Sequence, residues 1–136
     1  MTEFPRGSEW RKWDLHVHTP FTKCNDHYEA DSDEEKRNLF CNKIEESDVY
    51  AFGITDYFST QNYFIFLEKF KAKYPDSKKI FFPNVEFRND SKNTNDEYIQ
   101  YHIIFSNKQK VLDKLANFFT RLKLVSTDDD KLTKQP

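Results

Sequence analysis

The chain has 136 residues, enough for one domain with a hydrophobic core and too few for two. Hydrophobic residues make up 37% and charged ones 32%, and the aromatic share of 17% restores burial capacity, because each aromatic can bury about 150–250 Å². With glycine only at Gly7 and Gly53, neither a P-loop nor a dinucleotide fingerprint can be written, and a net charge of −2 gives no global attraction for nucleic acid.

Residues 1–11 are polar and predict an N-terminal arm. The N-terminal stretch lacks an apolar core and no run approaches the length of a membrane span, so neither a leader nor a span is expected. Cys24 and Cys41, without CxxC spacing, predict free thiols and a cytoplasmic location. Residues 12–18 form the first predicted strand. In an extended strand, Asp14, His16 and His18 share one face while Leu15 and Val17 share the other. Neutral imidazole is the commonest protein ligand for divalent transition metals, so this alternation predicts a coordinating face over an apolar one. Residues 19–31 are rich in turn formers. Ser32 followed by Glu35 predicts a capping box opening a helix to about Glu46, with Leu39, Phe40, Cys41 and Ile44 as its apolar stripe.

Residues 49–55 predict a buried parallel strand ending at Asp56. Ser59 or Thr60 caps a second helix carrying Tyr63, Phe64, Phe66, Leu67 and Phe70, which stops at Pro75. The basic stretch Lys69, Lys71, Lys73, Lys78 and Lys79 is expected to be a solvated helix face and turn. Residues 79–86 predict a third strand, with Pro83 marking a bulge or its end. Residues 88–96 form a polar hairpin loop and 98–105 a fourth strand. A final amphipathic helix is expected from Lys108 to about Leu124, with Val111, Leu112, Leu115, Phe118, Phe119 and Leu122 inward. A domain over 12–125 is thus followed by a polar tail over 126–136, whose Asp128, Asp129 and Asp130 are expected to be solvated. Alternating strands and helices call for an α/β fold with mainly parallel strands and crossover helices.

In such folds chemistry collects at the carboxyl ends of the strands. His16, His18, Asp56 and Glu86 fall at those ends, with His102 inside the fourth strand. Imidazoles and carboxylates of this kind can hold divalent ions, and Glu86 is the natural bridge between two of them. Each residue alone also has a plain structural reading. Glu86 could pair with Arg88, His102 could be half-buried, Asp56 could cap the following turn, and His27 has only a weak claim as a ligand.

Together these residues resemble the PHP (polymerase and histidinol phosphatase) domain of metal-dependent phosphoesterases. Asp14, His16 and His18 match its Asp-x-His-x-His strand, and Gly53-Ile54-Thr55-Asp56 matches its Gly-Ile-Thr-Asp-His turn. Glu86 matches its metal-bridging glutamate and His102 its following ligand histidine. The resemblance implies the N-terminal portion of a distorted (β/α)7 barrel. It implies two divalent metal ions, Mn or Zn with Fe or Mg as alternatives, held by His16, His18, Glu86, His102 and Asp14. Asp56 would act in catalysis either from behind the metal ligands or by orienting substrate. The substrate class implied is a phosphate mono- or diester, with DNA or a nucleotide among the candidates.

The segment from Arg6 to Trp13 is more narrowly similar to TrlF-type proteins, in which a PHP domain precedes an SMC/RecN-like ATPase linked with DNA repair or phage defence. Two features depart from the family. The first is Tyr57, which stands where the turn has a histidine serving a third ion; Cys24, in the loop where a further ligand to that ion can fall, is expected to be a free thiol. The second is larger. No histidine follows His102, so the late ligands are missing and the chain is expected to be an N-terminal half, with a C-terminal half and an ATPase domain as absent partners. The alternatives are a non-catalytic regulatory or interaction fragment of such a protein, and a piece that folds only with its missing half.

Overall fold

A computed structural model describes residues 10–22 and 28–121. Along them run β1 (Trp13–His18), α1 (Asp33–Glu46), β2 (Ala51–Tyr57), α2 (Gln61–Lys73), β3 (Ile80–Lys92), β4 (Tyr98–Ile104) and α3 (Gln109–Arg121). Local signals explain most of these boundaries. Ser32, in extended conformation, accepts the Glu35 backbone N–H at 3.2 Å, the contact its capping-box spacing predicts. Asp33, Glu34 and Glu35 in the first turn complement the positive end of the α1 dipole. At α2 the cap position is Thr60, whose side chain makes no capping bond; Ser59 Oγ accepts the Gln61 N–H at 3.0 Å instead.

The strands form one sheet in the order β1-β2-β3-β4. β1, β2 and β3 are parallel, and β4 returns antiparallel to β3. The expected α/β fold with mainly parallel strands and crossover helices is present, as an open sheet with β1 and β4 at its edges. No helix among the described residues is long and apolar enough to cross a membrane.

All three helices feed a single core. Phe40, Cys41 and Ile44 of α1 meet Phe52 and Ile54 of β2, Tyr63, Phe66 and Phe70 of α2, Phe81 of β3, and Leu112 and Leu115 of α3. Phe66 and Phe70 meet Phe81 edge-to-face at 5.0 and 4.8 Å, the arrangement ring quadrupoles favour. Three residues expected in the stripes, Leu39, Phe64 and Phe118, are instead exposed. Leu39 and Phe64 each sit one residue, about 100° of helix turn, from a buried neighbour, Phe40 and Tyr63 respectively, and Phe118 precedes partly buried Phe119.

Because Phe52, Ile54 and Phe81 point to the shared core, their strand neighbours Gly53, Thr55, Phe82, Asn84 and Glu86 point to the other face. Register places His102 and Ile104 of β4 beside Glu86 and Asn84 on that same face. Among the described residues no helix covers it. A parallel sheet is ordinarily buried on both faces, so this bare side is the distinctive feature of the architecture.

Two expected boundaries need correction. Pro83 is neither a bulge nor an end, because β3 continues to Lys92. On β3, Ile80 and Glu86 bond towards β2, so Pro83, of opposite parity, faces β4, where its carbonyl accepts the Phe105 N–H at 2.8 Å. Its missing donor falls at the finishing end of β4, where the ladder stops. The hairpin loop is tighter than expected, because the strands absorb most of it. Asn93 N–H donates to Glu97 O at 2.9 Å, and Asp96 adopts a left-handed conformation (φ 66°) that aspartate tolerates. The last helix runs to Arg121, the final described residue; its expected continuation to about Leu124 and the tail lie outside the described residues, as do residues 1–9 of the arm.

Candidate metal centre

The site begins with an irregularity in β1. Asp14 pairs with Phe52 and Val17 with Ile54, so Leu15 and His16 together oppose the single residue Gly53. Such a bulge inserts one residue and flips the side-chain alternation after it. Trp13, before the bulge, stacks on Phe82 with ring centroids 6.2 Å apart, which puts it on the bare face. After the bulge Val17 packs against the core, and His16 and His18 point to the bare face.

Gly53 makes the bulge possible. A Cβ at this position would lie 2.1 Å from the Leu15 carbonyl oxygen and 2.6 Å from its carbon, so no other residue admits the β1 backbone so closely. The Leu15 carbonyl is turned out of the ladder and accepts from Asn84 Nδ2 at 2.7 Å.

Three imidazoles then converge on one carboxylate oxygen. His18 Nε2 lies 3.4 Å, His16 Nε2 3.5 Å and His102 Nε2 4.0 Å from Glu86 Oε2. His16 and His18 approach each other at 2.9 Å through their Nε2 atoms. Ligands held about 2.0–2.2 Å from a tetrahedral zinc ion lie about 3.3–3.5 Å from one another, so the two shorter Glu86 distances already match such a set. His16, Glu86 and His102 offer donor atoms all within 4.8 Å of one another, an arrangement that could hold a metal ion.

The electrostatics fit the same use. Glu86 is only 3% exposed, and a buried carboxylate needs compensation from its surroundings. Burial, and after it the neighbouring His16, pull the His18 imidazole below its ordinary value, with Glu86 acting in the opposite sense. A neutral imidazole is the form that ligates. Two buried polar atoms, His18 Nδ1 and Asn84 Oδ1, have no hydrogen-bond partner among the described residues. Tyr57, beside Glu86 in register, lays its ring on His18 at 5.2 Å and closes one side of the cluster. Phe58 next to it takes a left-handed backbone (φ 54°) and packs edge-on against Phe87.

The structure therefore brings together His16, His18, Glu86 and His102. It does not bring Asp14 to them. Asp14 was expected on the imidazole face, but it precedes the bulge and pairs with core-facing Phe52, so it lies on the opposite side. Its carboxylate accepts the His16 backbone N–H at 3.2 Å, supporting the bulge from behind. Asp56 also lies on the other side, beside buried Val85. It accepts from Asn62 Nδ2 at 2.6 Å and from the Tyr57 N–H at 2.9 Å, and Asn62 also donates to Phe21 O at 3.3 Å. These contacts clasp α2 and the loop after β1 to the end of β2. They correspond to the structural role of a capping acid and lend no support to the expected part in catalysis. Cys24 and His27 lie outside the described residues. Cys41 is a core thiol whose pKa burial pushes up.

Sequence reasoning missed the role of Gly53, named there only as part of a motif, and missed Asn84 altogether. Gly53 carried a signal, being one of two glycines and set inside an apolar strand, where glycine marks a close backbone approach. Asn84 carried a weaker one: a polar residue two before Glu86 in an apolar strand shares its face. Compared with protein-family models, curated proteins and solved structures, the chain matches none.

Proposed function

We propose that this chain is the metal-binding part of a PHP-type phosphoesterase, with His16, His18, Glu86 and His102 holding a divalent ion such as Mn or Zn. The observation that carries the reading is the convergence of three imidazoles on Oε2 of buried Glu86 at 3.4, 3.5 and 4.0 Å. A divalent ion bound there would bring the pKa of a coordinated water towards neutrality and stabilise charge on phosphoryl oxygens. Glu86 supplies the negative charge that such an ion requires, and the imidazoles supply neutral nitrogen donors. Tyr57 shields His18 from water on one side. The described donors suit one ion; a second would draw its ligands from residues beyond them. The bare face leaves room for an extended phosphate mono- or diester, including one in DNA or a nucleotide, and for the rest of a larger PHP–ATPase protein.

The experiment is hydrolysis of bis(p-nitrophenyl) phosphate by the chain in Mn(II), with and without Glu86→Gln. Loss of the carboxylate should lower the rate by at least about 100-fold, at or beyond the upper range seen for changes around a metal site. An unchanged rate in the variant sinks the assignment.

A second reading is a non-catalytic interaction module of the same parent. Its support is the bare sheet face, where Trp13 is 61% and Ile104 43% exposed. Bound metal without turnover of any phosphodiester favours it.

A further inference from the structure

Asn84 stands two residues before Glu86 on β3, on the same face, and is 2% exposed. Its Nδ2 lies 2.7 Å from Leu15 O, 2.9 Å from Thr55 Oγ1 and 3.2 Å from His102 Nδ1. Those three atoms come from β1, β2 and β4, so one amide reaches every other strand of the sheet. Its Oδ1 is buried without a partner among the described residues. Leucine has the same number of side-chain heavy atoms, branched at the same carbon, without that burden, so filling space does not explain an amide here.

We propose that Asn84 is the positioning residue of the metal centre: it ties the β1 bulge that aims His16 and His18 to the His102 ring on β4. The inference rests on reading these residues as a metal site. The two hydrogens of the amide meet three acceptors, so one of them is shared and the contact with Nδ1 sets where the His102 ring sits without fixing its tautomer. Partners behind ligating histidines orient the ring in this way.

The chain has four histidines, so ¹⁵N-histidine NMR resolves their rings one by one. In the metal-free chain, Asn84→Ala and Asn84→Leu should shift the ring signals of His16, His18 and His102, and both should bind Zn(II) 10- to 100-fold more weakly in calorimetric titration. A folded variant whose rings and affinity match the wild type overturns the proposal. Should the variants not fold, Asn84 side-chain amide protons that exchange as fast as exposed ones in the wild type overturn it as well. A wild type that binds no Zn(II) defeats the metal reading itself, and the ring signals of the metal-free variants still decide the Asn84 contacts.

Discussion

At the scale of the residue, the centre is one buried carboxylate shared by three imidazoles. Glu86 alone could have been a surface acid paired with Arg88, and the sequence could not separate the two readings. Burial separates them, because Glu86 lies in the sheet with His16, His18 and His102 about it. His18 gives this arrangement a measurable pH dependence. Burial and then His16 lower its pKa from 6.5, so in the window below 6.5 the unfolded chain binds more proton than the folded one. Stability of the metal-free chain should therefore fall as the pH drops through that window. Urea unfolding at pH 7 and pH 5 should show the lower midpoint at pH 5, and His18→Gln should narrow the gap between them. An equal gap in His18→Gln contradicts this account of His18.

At the scale of the element, the bulge in β1 decides which side chains reach the site. Strict alternation along β1 puts Asp14, His16 and His18 together, and that reading was right for two of the three. The extra residue at Leu15 and His16 moved Asp14 to the far side, and a single sequence does not announce a bulge. Its cause lies on the neighbouring strand, at Gly53. Gly53→Ala drives a Cβ into the Leu15 carbonyl and should cost about 1–3 kcal/mol, read from urea unfolding. Because the bulge aims His16 and His18, Zn(II) affinity should fall with it. Full stability and full affinity in Gly53→Ala would show that β1 holds its bulge without help from the glycine. The helices were more legible. Ser32 and Glu35 marked the α1 start because a cap is a local contact, whereas the exposure of Leu39 and Phe64 depends on which side the sheet lies.

At the scale of the whole molecule, strand and helix alternation was enough to anticipate a mainly parallel sheet, since β1-α1-β2-α2-β3 allows little else. The sequence did not reveal that all three helices gather on one face. That outcome leaves Trp13, Phe82 and Ile104 beside the imidazoles on an uncovered sheet, where a substrate or further protein has access. The central claim is that this bare face holds a divalent ion through Glu86. Equilibrium dialysis against Zn(II), followed by elemental analysis, tests it most directly. The account predicts one ion per chain in the wild type and none in a folded Glu86→Gln variant. No bound ion in the wild type, or the same content in both, would contradict it.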